Sequence, residues 1–167
     1  LSKAVTLDWT EGTGVPTGDA GLRAKIWAEL VRRNAELADA MPSRRDETFT
    51  RLCLRRARAL SPFISSRDLD RAALAALEHD GLVVESPTDP ELVAPAHDLL
   101  EDWAVEQWLG RVWADRAGSW PAFLEEIGLH PAIRRVFRAW IGDAYSNELV
   151  DGTSIVRLLV DEQCATH

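Results

Sequence analysis

The chain is poor in reactive sulfur, with two cysteines, Cys53 and Cys164, and one methionine in 167 residues. Two distant thiols do not make a disulfide framework, and Cys53 falls in an apolar helical stripe, where a small buried thiol is ordinary. Long hydrophobic runs are also missing. No stretch approaches the roughly 18 consecutive apolar residues of a membrane helix, because Arg or Glu interrupts each apolar patch. No charged segment followed by an apolar run marks a secretory signal, Leu1 in place of Met reads as a cut end, and the expected location is the cytoplasm. The nucleotide fingerprints fail too. Gly12-x-Gly14 has no glycine three residues on, Gly18 falls one place late, and no Gly-Lys-Ser/Thr follows.

The signatures of catalysis are equally thin. No Ser or Cys stands in a nucleophile-elbow context. His97 and Glu101 share a helical face, yet no second His, Cys or carboxylate pair of metal-ligand spacing accompanies them. The expectation is a chain without catalytic or metal-binding residues of its own.

What the sequence does have is 46% hydrophobic residues, enough for a core, and a net charge of −8 that is unevenly spread. Residues 44–60 carry six Lys or Arg against two Asp or Glu, whereas residues 61–110 carry two against eleven. An acidic centre repels a phosphate backbone, so DNA is a disfavoured partner. The basic stretch reads more simply as a face paired with the acidic block.

Periodicity predicts mostly helices. A short strand over Ala4–Trp9 and a Gly/Pro/Thr loop precede a helix from Leu22 to Ala38, with Asp19 as a possible cap. Ser43 and Asp46 form a capping-box pattern for a second helix through Leu60, with Phe49, Leu52, Cys53, Ala57 and Leu60 on its apolar side. Ser65 or Ser66 is expected to cap a third, Ala-rich helix that ends at Gly81. The segments LVVE (82–85) and ELVA (91–94) flank SPTDP and predict a hairpin. Helices follow from His97 to Ala117, after Ser119, from Pro131, and over Ser154–Glu162. Trp103, Trp108, Trp113, Trp120 and Trp140 read first as bundle core, with contact to a neighbouring domain as the alternative. The expected fold is mainly α: a winged helix-turn-helix with one β-hairpin plus a helical C-terminal extension. It divides into a strand and linker segment (1–21), a helical winged-helix domain (22–117) and a helical extension (118–167).

The run from Asp70 to Trp108, DRAALAALEHDGLVVESPTDPELVAPAHDLLEDWAVEQW, resembles the winged-helix module that follows the nucleotide-binding core in STAND-type signal-transduction ATPases, the group of NACHT and NB-ARC proteins. In that group an Ala/Leu-rich helix leads to a hydrophobic hairpin and then to a segment like His97-Asp98-Leu99-Leu100-Glu101-Asp102. The likeness is close over residues 70–108 and looser beyond. NB-ARC proteins place Met before the His-Asp pair, where this chain has Ala96.

The resemblance implies a non-catalytic regulatory module of a larger bacterial protein. His97 would approach the β-phosphate of ADP held by the parent's nucleotide-binding core, and Asp98 would help fix that junction. ADP or ATP is thus a ligand of the parent, and the partners are that core, other domains of the same chain, and a further copy or an effector protein. Without the resemblance, His97 is a polar helix-start residue, and Asp98, Glu101 and Asp102 are what the helix dipole favours in a first turn. Two other functions stay open: a winged-helix DNA-binding regulator and an architectural helical spacer. Against DNA stands the presumed recognition helix, where Asp68, Asp70, Glu78 and Asp80 oppose Arg71, and a wing without Lys or Arg.

Overall fold

The computed structural model describes residues 19–34, 40–128, 130–146 and 148–153. The expected strand at Ala4–Trp9, the end of the first predicted helix and the helix over Ser154–Glu162 lie outside them. The described residues form six α-helices and one small sheet, a mainly helical fold.

Helix α1 (Asp19–Trp27) begins at the residue expected to cap it and runs into a π turn, Ala28–Arg32. The turn closes at Arg33, whose φ of 55° is left-handed. Helix α2 (Met41–Ala59) starts two residues before the predicted box, because Pro42 occupies a first-turn position where no N–H is required. Its apolar residues Phe49, Leu52, Cys53 and Ala57 are buried as their spacing predicts. Leu60 is not. It caps the helix in a left-handed conformation and is 65% exposed.

Strand β1 (Ile64–Ser65) occupies the place expected to cap the third helix. The cap of α3 (Arg71–His79) is Asp70, whose side chain accepts from the N–H groups of Ala72 and Ala73, both at 3.0 Å. Such a bond satisfies donors that the first helical turn leaves open. Gly81, at φ 73°, lets the chain reverse into β2 (Val83–Glu85), and β3 (Leu92–Pro95) returns antiparallel to it. The sheet order is β1-β3-β2, with Ile64 opposite Val93 and Val84 opposite Ala94. The hairpin was legible in the sequence, but the first strand was not.

Helix α4 (Asp98–Asp115) follows, then α5 (Trp120–Ile127) and α6 (Pro131–Ser146). Gly128 caps α5 and Pro131 opens α6, as the Gly and Pro positions predict. Two apolar cores meet along α4. Its Leu100 and Ala104 join Trp27, Val31, Phe49 and the sheet, whereas its Val105, Leu109 and Val112 join Trp120, Phe123, Ile133 and Trp140.

Candidate functional site

The start of α4 is built by the end of β3. Pro95 ends the strand, Ala96 donates its N–H to Leu82 O at 2.9 Å, and His97 takes the N-cap position in extended backbone. The His97 carbonyl accepts from Leu100 N at 3.1 Å and Glu101 N at 3.2 Å. Its imidazole makes no capping bond and is exposed. Asp98 and Leu99 follow on the same exposed tip, Asp98 with 85% of its side chain in solvent and Leu99 59% exposed. Leu99 points outward, although the apolar spacing Leu99, Leu100, Trp103 would put it with the buried residues of this helix.

One arginine from α2 ties this tip down. Arg56 Nη1 lies 3.4 Å from Asp98 Oδ1 and also pairs with Glu101. One turn later in the sequence Arg135 of α6 holds Asp102 at 2.5 Å. Burial pushes the carboxyls of Glu101 and Asp102 above their ordinary range, outweighing the opposing pull of these guanidinium groups. Because Leu60 N donates to Arg56 O at 3.0 Å, the exposed Leu60 ends α2 within a turn of the residue that grips α4. His97, Asp98, Leu99 and Leu60 thus lie at the same end of the α2 and α4 pair.

The basic face of α2 is largely consumed within the fold. Arg44 forms a two-pronged pair with Asp70 at 2.7 and 2.8 Å, Arg55 lies 3.8 Å from Asp68, and Arg58 stacks over the Trp108 ring at 5.2 Å. Arg45 is acid-paired as that face was expected to be, but it is buried and not solvated, at only 1% exposed. Its Nε donates to Val31 O at 2.7 Å and its Nη2 to Leu30 O at 3.2 Å, which are carbonyls of the π turn. The same nitrogen sits 2.8 Å from Asp80 at the end of α3. A wider turn offers carbonyls that an α-helical end would present differently, and the planar guanidinium fork fits several acceptors at once.

Asp46 overturns the capping-box expectation. Its carboxylate is buried and accepts from Trp27 Nε1 at 3.1 Å, Arg32 Nε at 3.1 Å and Thr50 Oγ1 at 3.5 Å. Arg111 of α4 approaches the same carboxylate at 3.7 Å. The helix begins earlier than the box implied, so Asp46 falls one turn inside it and faces the π turn. An Asp in the second turn of a basic helix carries no sequence signal for this role.

Cys53 is fully buried, and burial pushes its thiol well above its ordinary value, away from the reactive thiolate. Among the described residues no group of three or more His, Cys, Asp or Glu is placed to hold a metal ion. No helix among them is long and apolar enough to cross a membrane. No protein-family model matches the chain, and no curated protein matches it.

Proposed function

We propose that the chain is a non-catalytic, cytoplasmic regulatory module of a STAND-type ATPase, in which the α4 tip meets a nucleotide-binding core and couples nucleotide state to partner or oligomer contacts. The observation that carries this reading is the exposed His97-Asp98-Leu99 sequence at the head of α4, where the resemblance would have it face that core. The order α2, β1, α3, β2, β3, with sheet order β1-β3-β2, is compatible with a winged helix.

The tip fits one phosphate contact. The first N–H groups of a helix lack intrahelical partners and carry its positive end, and an imidazole can donate beside them. ADP or ATP bound in the core would supply the phosphate, and His97 would sense it. Arg56 would position Asp98 while Leu60 and Leu99 cover apolar surface of the facing domain. A state that loses the phosphate contact would release this end of the α2 and α4 pair, which is the two-state element such a switch requires.

The DNA-binding reading fits less well. The exposed positions of α3 include Arg71, Ala72, Ala75 and His79, and Glu78 lies beside them. The wing between β2 and β3 carries Asp89 and Glu91, and Glu91 takes Arg67 at 2.6 Å. Neither element presents a row of cations to a phosphate backbone.

The test is ADP retention by the full-length polypeptide that carries this chain. His97→Ala should weaken ADP about tenfold, in line with loss of one hydrogen bond to a charged group, with the helical signal unchanged. ADP binding that ignores the substitution removes the proposal and leaves His97 as a helix-start residue.

A further inference from the structure

A cleft of about 270 Å³ separates α1 from α4, near the lower end of small-molecule sites, which start at about 300 Å³. It exists because α1 and the π turn present Ala24 and Ala28 there, side chains too short to fill the space, while Trp103 forms apolar wall and the buried Trp27 reaches it only by an edge. On α4, Trp103 and Gln107 line the cleft, and Arg111 follows one turn later, outside the lining.

The charges at one end are unequal. Arg32 lines the cleft, and its Nη2 lies 2.5 Å from Asp46 Oδ2. Arg111 Nη1 approaches that same oxygen at 3.7 Å, and its Nη2 donates to the neutral Thr50 hydroxyl at 3.3 Å. Two guanidinium groups therefore share one carboxylate, and each keeps over 40% of its side chain in solvent, at 41% and 47%. Arginine carries five donors in a flat fork, so both retain N–H groups for a further acceptor. Toward the other end Glu106 lines the cleft, held by Arg23 at 2.7 Å. Its carboxylate disfavours a doubly charged ligand.

We propose that this cleft binds a small, flat organic monoanion of the aromatic carboxylate class, its ring against Trp103 and its carboxylate on Arg32, with Arg111 beside the cleft as the second cation that shares Asp46. The ring supplies apolar contact area at little entropic cost, and the paired guanidinium groups fix its orientation. The site is distinct from the α4 tip and independent of the ATPase reading.

The experiment is calorimetric titration of the intact chain with benzoate, using acetate, benzyl alcohol and phenyl phosphate as comparison probes. Benzoate should bind, and acetate and benzyl alcohol, each lacking one half of the recognition, should bind about tenfold more weakly or worse. Arg111→Gln removes one cation, and Ala24→Leu fills the space from an exposed helix position without touching charge. Each should weaken benzoate about tenfold or more while far-UV circular dichroism stays unchanged. No benzoate binding up to about 10 mM, or binding that survives either substitution, overturns the proposal. Tighter binding of phenyl phosphate than of benzoate overturns the monoanion assignment.

Discussion

Around Phe49 the interior of this protein holds a guanidinium and a carboxylate, and around Phe123 it holds mostly rings. In the first core, Arg45 and Asp46 sit inside α2 and tie the π turn, α3 and α4 to it through named bonds. In the second, Trp113, Trp120, Phe123, Phe137 and Trp140 contact one another with ring centroids 4.5 to 6.2 Å apart. Rings tolerate small rearrangements, because the geometry of aromatic contact is broad. A buried ion pair does not, because removing one partner strands the other. The first core is therefore specified by a few polar bonds, and the second by volume.

The sharpest way to break this comparison is to remove the centre of each core. Arg45→Ala should cost about 3–5 kcal/mol, since it leaves Asp80 to Arg33 alone and the Leu30 and Val31 carbonyls without their donor. Phe123→Ala should cost about the same, 3–5 kcal/mol, through a cavity alone. Urea denaturation measures both. What separates them is the rescue: Arg45→Met fills most of the volume but restores no bond, so it should recover little if the first core is held by polar contacts. Full recovery with Met would show that its volume, and not its charge, matters.

A pair of conservative substitutions sharpens the same contrast. Trp27 Nε1 donates to the buried Asp46 at 3.1 Å, whereas the buried Trp120 Nε1 has no hydrogen-bond partner among the described residues. Both indoles are nearly inaccessible, at 3% and 6% exposed. Trp27→Phe gives up a bond to a charged acceptor and should cost about 1.5–3 kcal/mol in thermal or urea unfolding. Trp120→Phe gives up an N–H with no acceptor among the described residues, so its cost should stay near that of the lost ring volume, about 1 kcal/mol. Equal losses at the two sites would mean that the Trp27 bond adds nothing beyond packing.

The sequence reveals the two cores unequally, for the same physical reason. Apolar spacing located α2, α4, α5 and α6 and the hairpin, and the Pro and Gly residues marked their ends. The aromatic core was legible because rings at helical spacing must be buried somewhere. Arg45 and Asp46 were not, since a charged residue on an amphipathic helix looks the same whether water or a distant carbonyl satisfies it. The π turn that supplies those carbonyls leaves no trace in spacing, and β1 is too short to alternate. His97 and Asp98 were placed correctly at a helix start, while Leu60 and Leu99 were drawn into apolar stripes that the fold leaves exposed. Periodicity reports which face is apolar on average, and a helix end escapes that average.

The seam between the cores gives the smallest expected effect and a change with pH. Glu106 of α4 receives Arg23 of α1 at 2.7 Å, and Arg23 also reaches Asp143 of α6 at 3.2 Å. Burial pushes the Glu106 carboxyl above its ordinary range, with the charge of Asp143 adding to the rise and Arg23 opposing it. An acid whose folded value is raised favours folding most below its unfolded value, about 4.3, and loses that contribution as pH climbs through the folded one. At pH 7 the ionised Glu106 therefore weighs against the fold, despite its visible partner. Glu106→Gln should leave stability at pH 7 unchanged or raise it by less than about 1 kcal/mol, and the gain should vanish at pH 4. Urea titrations at the two pH values measure the difference. A loss of more than about 1 kcal/mol at pH 7 would mean that the ion pair outweighs burial, and that the seam is held by charge as the first core is.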